Sequence, residues 1–231
     1  MLSAEALRLA AVDVLCPTAA NLSGEGFPTL AGRHVYDSRA VSIEDLDRSA
    51  PYTPTLSLHT VESGVALRGP MAAADDTEAD AVLDIVAQLT VVAREDGEEF
   101  VDAMAETDSD ARLVLAALCA QVRMLLERSQ SGGLWRTLVR RIVKIEEQTF
   151  AVPNLGLRWQ RVTMRVHCEI RDDEFDMEGG GLPQPIRRLY DALPAQSYAK
   201  AKLAELAAHF PAEPLPPFEG GTANMPDEPQ D

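Results

Sequence analysis

The stretch from Gln160 to Arg171 constrains the fold of this chain more than any other. Val162, Met164, Val166, Cys168 and Ile170 share one parity, while Arg161, Thr163, Arg165, His167, Glu169 and Arg171 share the other. A strand sends successive side chains to opposite faces, so the pattern predicts one dry face and one wet, mostly cationic face. No catalytic motif competes with this signal, and the residues alone predict an α+β domain that assembles with others.

The rest of the chain supplies what such a strand pairs with and packs on. Ser3 to Leu15 is predicted as a helix with Ser3 as N-cap, Leu2 and Leu7 as a hydrophobic staple, and an apolar stripe of Leu7, Ala10, Ala11, Val14 and Leu15. Pro17 stops it, and Thr18 to Gly32 reads as a glycine-rich loop. Arg33 to Arg39, Pro54 to Val61 and Ala81 to Arg94 are strand candidates, with Glu62 to Glu78 read as a loop. Asp110 to Arg128 is a helix, because Ala111, Val114, Leu115, Leu118, Val122, Leu125 and Leu126 recur at three and four. Leu134 to Phe150 begins with a helical turn or two and ends as a strand. Pro153 to Gly156 then turns the chain into the opening strand, giving a long antiparallel pair whose dry face covers the Asp110 helix. The fold expected is α+β, a mixed or antiparallel sheet of about five strands with helices packed on it. Residues 1–178 form that domain, and 179–210 a helical extension after a glycine joint, read as one helix from Pro185 to Phe210 or as two interrupted at Pro194. Residues 211–231 are a Pro-rich tail, disordered or ordered by a partner.

Charge narrows function further. The formal net charge of -16 disfavours general nucleic-acid binding and docking on anionic membranes. No stretch approaches the ~20 apolar residues of a membrane span, and Glu5, Arg8 and Asp13 interrupt any secretory leader. Cys16, Cys119 and Cys168 are odd in number and far apart, which reads as buried, reduced thiols in a cytosolic setting. His34, His59, His167 and His209 have no zinc-motif spacing. Gly24-Glu25-Gly26 lacks the preceding strand and the Lys-Ser/Thr ending of a phosphate loop, and no serine sits in a Gly-x-Ser-x-Gly elbow. No catalytic, cofactor or metal residue is assigned.

The cations Arg136, Arg140, Arg141, Lys144, Arg158, Arg161 and Arg165 gather in the final strand pair and its lead-in. Acids gather before them, with Glu95, Asp96, Glu98, Glu99 and Asp102 in a run expected as a solvated loop or helix face. Either the two patches neutralise one another within a subunit, or they meet across subunits, where complementary charge sets register.

The opening helix, then Phe27-Pro28-Thr29-Leu30-Ala31-Gly32-Arg33-His34-Val35-Tyr36-Asp37-Ser38-Arg39, then the Pro-led strand Pro54 to Val61, resemble the minor tail and tail-terminator (tail-completion) proteins of long-tailed bacteriophages. The resemblance spans roughly Ser3 to Asp172 and carries no catalytic residue with it. It implies a small α/β domain with helices on a sheet, and a non-enzymatic subunit of a homo-oligomeric ring, typically a hexamer. Such a ring stops tail-tube growth and contacts the tube protein on one face and a neck, connector or stopper protein on the other. It also implies a place in the virion after assembly in the host cytoplasm, with DNA passing through the lumen unbound; the run Glu95 to Asp110 is the candidate lumen lining. The acidic insertion near Glu95, the Pro185 to Phe210 helix and the Pro-rich end depart from the family pattern. The neighbouring expectation is a head-completion or neck adaptor. From other classes come a small-molecule-binding or enzymatic α/β domain and a bacterial scaffold unrelated to phage.

Overall fold

The computed structural model describes residues 1–46, 50–67, 77–95, 98–103, 109–128, 133–150, 161–176 and 180–210. Six strands form one sheet: β1 (Val35–Asp37), β2 (Thr53–Leu67), β3 (Thr77–Glu95), β4 (Glu98–Ala103), β5 (Val139–Phe150) and β6 (Arg161–Ile170). Five run in the order β1-β2-β3-β6-β5, and the short β4 pairs with β3. β1 is parallel to β2 and the other pairs are antiparallel, so the sheet is mixed. The α+β expectation therefore holds.

The β6 alternation sets the register. Met164, Val166, Cys168 and Ile170 are buried and pair with Ile85, Leu83, Ala81 and Ala79 of β3, which are buried on the same face. Leu58 and Leu56 of β2 continue those rows opposite Ile85 and Ala87. Each large aliphatic side chain withdrawn from water here contributes roughly 2 kcal/mol. The helices α1 (Leu2–Leu15), α3 (Ser109–Arg123, continued by a π-helical turn Met124–Arg128) and α4 (Trp135–Leu138) share this core. Trp135 and Leu138 are wholly inaccessible to solvent.

α1 departs from its predicted amphipathic form. Ala6, Leu9 and Val12 are buried as well as Leu7, Ala10, Ala11 and Leu15, so the helix is covered on most sides. The cover comes from the C-terminal helices α5 (Ile186–Ala192) and α6 (Tyr198–Ala207), whose Ile186, Leu189 and Leu203 join the same core. Alanine at positions 4, 6, 10 and 11 lets neighbouring backbones approach closely. The cap also differs from expectation. Ser3 lies inside the helix, and the Asp173 carboxylate accepts from the amides of Leu2 and Ser3, both at 2.8 Å, and from the Ser3 hydroxyl. A side chain 170 residues away thus satisfies donors that a local cap was expected to take.

Other boundaries moved for identifiable reasons. Thr18–Ser23 is a short helix, α2, inside the predicted loop, closed by Gly24 at φ 78°. β2 continues past Val61 through a bulge between Thr60 and Glu62, and β3 starts at Thr77, so both strands reach into the expected loop from Glu62 to Glu78. The Glu62-Ser63-Gly64 composition hid that extension. In β5, bulges between Val139 and Arg141 and between Ile142 and Lys144 reset the parity. Ile142 and Ile145 both pack against the core, and Val143 between them is 62% exposed.

Part of the acidic run is also corrected. Glu95 ends β3, while Glu98, Glu99 and Asp102 lie in β4, with Glu95 paired to Glu98 and Val91 to Asp102. β3 outruns its neighbours, since β6 stops opposite Gln88 and β2 opposite Thr90, and β4 supplies partners for the remaining backbone groups. Asp96, Arg158, the turn Pro153 to Gly156 and the tail 211–231 lie outside the described residues.

Candidate functional site

Pairing register places Arg141, Lys144, Arg161 and Arg165 of the predicted cations on the sheet face away from the helices. Arg165 sits between Asp84 of β3 and Glu146 of β5. Its Nε and Nη2 each donate to one oxygen of the Asp84 carboxylate at 2.8 Å, a two-pronged pair with only 8% of Asp84 exposed. The hydrogen bonds and charge of Asp84 raise the Arg165 pKa further. In the same row Glu146 accepts from Lys144 at 2.7 Å and lies 3.1 Å from His167 Nε2, both of the next row along. Those contacts, Lys144 first, hold its carboxyl below the usual glutamate range. Arg141 Nε donates to Glu169 at 2.7 Å across the β5–β6 pair.

This face is therefore a cross-strand ladder of alternating charge. Arg165, Arg141 and Lys144 find partners within the chain, in Asp84, Glu169 and Glu146 rather than in the predicted acidic run. Arg136 is drawn elsewhere: its Nη2 donates to the Glu127 carbonyl at 2.6 Å, tying the start of α4 to the end of the π-helical turn. Arg161 opens β6 and is half-buried, and Arg140 is exposed at the first β5 bulge. Of the acidic set, Glu95, Glu98, Glu99 and Asp102 share the β3–β4 hairpin, away from the Arg165 ladder.

A second surface was missed from the sequence. Along α3 and into its π-helical turn, Leu113 (69% exposed), Ala116, Ala117, Ala120 and Met124 (52% exposed) face solvent. Spacings of three and four put them on one side of the helix, opposite the buried Leu115, Leu118 and Val122. Arg112, Arg123 and Glu127 border the stripe, with Arg123 donating to Glu127 at 2.8 Å. Gln121 lies on the other border and accepts from the Leu30 amide at 2.8 Å, which brings the exposed Leu30 alongside. The signal was available: between Ala111 and Leu126 the polar residues are Arg112, Gln121 and Arg123, so the helix is apolar nearly all round.

All three thiols are shifted away from ionisation. Burial pushes Cys119 and Cys168 up to about 12, and burial with the Asp13 charge raises Cys16. Among the described residues, no three His, Cys, Asp or Glu side chains gather in a way that could hold a metal ion. No described helix is long and apolar enough to cross a membrane. No protein-family model matches the chain, and no curated protein matches it either.

Proposed function

We propose that this chain is a non-enzymatic structural subunit that assembles with copies of itself, the tail terminator of a long-tailed bacteriophage or related tail-like particle. The exposed apolar side of α3 carries the assembly part of the reading. A contiguous apolar stripe on a chain of net charge -16 marks a protein–protein contact, because charge alone would keep such a chain dispersed. The one-sided sheet backed by helices agrees with the architecture the sequence resemblance implies. In this reading the chain forms a ring, six-fold by that resemblance, and α3 supplies one side of each subunit contact. The β3–β4 pair, with Glu95, Glu98, Glu99 and Asp102, faces the lumen, where negative charge keeps passing DNA from sticking. The ring meets the tube protein on one face and the neck or stopper on the other.

The mass of the purified assembly tests this directly. Native mass spectrometry is expected to give a closed ring, and Leu113→Lys with Met124→Lys is expected to reduce it to monomers that keep their circular dichroism. A wild-type chain that stays monomeric at tens of micromolar sinks the ring. Cryo-EM of the particle separates a terminator at the head-proximal end of the tail from an adaptor seated in the neck.

A further inference from the structure

The break between α1 and α2 gathers polar side chains at one end of the helical layer. α1 ends at Leu15 and α2 begins at Thr18 behind Pro17, which brings Asp13 of the first helix against the first residue of the second. The Thr18 hydroxyl donates to Asp13 Oδ1 at 2.9 Å. The Ser197 hydroxyl, at the N-cap of α6, donates to the same oxygen at 3.1 Å. Thr18 and Ser197 are buried and Asp13 is half-buried. Neutral donors fix the orientation of a carboxylate and leave its charge in place, and among the described residues no cation pairs with Asp13.

Asp13 lines a cleft of about 290 Å³ enclosed by the end of α1, α2, β1 and the start of α6. The other charged residues of its wall are Arg33, Asp37 and Arg39. Asp37 is satisfied within the chain, by Arg8 on one oxygen and by the Tyr198 hydroxyl at 3.0 Å on the other. Arg39 pairs with Asp45 at 2.9 Å and lies 4.4 Å over the Tyr36 ring. Arg33 also borders a neighbouring cleft that holds Glu44 and Asp45, neither of which lines the first. No ion pair or hydrogen bond ties Arg33 to either acid or to another described residue. Within the first cleft one carboxylate, Asp13, and one guanidinium, Arg33, are thus left without a counter-charge, beside the exposed side-chain amides of Asn21 and Gln196.

We infer that this cleft binds a small zwitterion, an ammonium and a carboxylate joined by a short carbon chain. The ammonium donates to Asp13, whose Oδ2 takes no bond from a described residue, and the carboxylate accepts from the Arg33 fork. Val12, Leu22, Val35 and Ala199 give the carbon chain an apolar wall. Pockets for larger organic molecules run to ~300–1,000 Å³, so this one suits an occupant of few atoms. The chain's net charge of -16 draws cations in general, so the pairing of Arg33 with the carboxylate is what makes the site selective.

Ligand-observed NMR titration of the full-length chain tests this with glycine, β-alanine and γ-aminobutyrate, which carry the two charges at rising separation. One of them is expected to bind at least about tenfold more tightly than both propylamine, which has the ammonium alone, and butyrate, which has the carboxylate alone. Arg33→Gln, at an exposed position, and Asp13→Asn, which still accepts from both hydroxyls, are each expected to weaken that binding at least about tenfold with circular dichroism unchanged. Failure of all three zwitterions to bind overturns the assignment. So does propylamine binding as tightly as the best of them, or binding that Arg33→Gln leaves unchanged. No residue of α3 lines the cleft, so binding is expected to persist in Leu113→Lys with Met124→Lys, and loss of the ring and loss of this site are distinct results.

Discussion

Asp84 is the carboxylate on which the sheet face depends. Its side chain is 11% exposed, against 38% for Arg165. Removing the cation leaves a buried charge without its partner. Arg165→Met is therefore expected to destabilise the fold, by less than the loss of a fully buried partner would because the guanidinium is partly solvated. Urea denaturation measures it, and adding Asp84→Leu should recover most of the loss. Charge reversal at Arg165 thus mixes folding with assembly, whereas Arg140 and Arg141 report on the surface more cleanly. The thiols give a pH signature. Native Cys119 and Cys168 keep their protons up to about 12, while unfolded thiols ionise near 9. Between those values the unfolded chain has released protons that the native chain holds. Stability is accordingly full below about pH 9 and falls as pH rises, by about 1.4 kcal/mol per thiol for each pH unit. Thermal melts at pH 8, 9.5 and 11 check the sign, and slow alkylation of the native protein at pH 8 checks the cause. That these cysteines are buried was legible from the strand parity of Cys168 and the helical setting of Cys119. That Arg165 binds Asp84 was not, because the two stand 81 positions apart and are brought together by sheet register alone.

At the scale of elements, α1 shows where local rules stop. Its N-terminal donors are served by Asp173, in a chain segment that the sequence marks merely as the end of β6. Asp173→Ala is expected to destabilise the fold by 1–2 kcal/mol, roughly the worth of a full cap. Ser3→Ala should cost less, since the amide contacts remain; paired denaturation curves separate the two. Trp135 anchors α4 with no surface exposed, and its truncation to alanine is expected to cost roughly 3–5 kcal/mol through lost burial and the cavity left behind. The existence of β3, β6 and α3 was readable, because each carries a long and unbroken period. The parity of β5 was not, because two bulges interrupt it, and β4 was hidden because acids dominate a segment whose strand character comes from the unpaired end of β3.

At the scale of the whole molecule, charge and apolar surface divide the labour. The ladder on the sheet face is closed on itself at Arg165, Lys144 and Arg141, while the stripe on α3 is open. In the assembly reading, Arg140→Glu with Arg141→Glu is expected to leave the native mass unchanged, and Ala117→Glu to lower it, since a charge at the centre of an apolar contact has no partner. The opposite ranking moves the contact to the sheet face. The sequence by itself determined the mixed α+β character, the dry side of the sheet, the burial of Cys119 and Cys168 and the gathering of cations on β5 and β6. Those properties follow from period and composition, which are local. Tertiary structure alone decided that the cations meet acids of the same chain, that α1 is enclosed by α5 and α6, and that α3 has an apolar side left over. Each depends on which surfaces the fold brings together, and strand order and helix packing set that without leaving a mark on neighbouring residues.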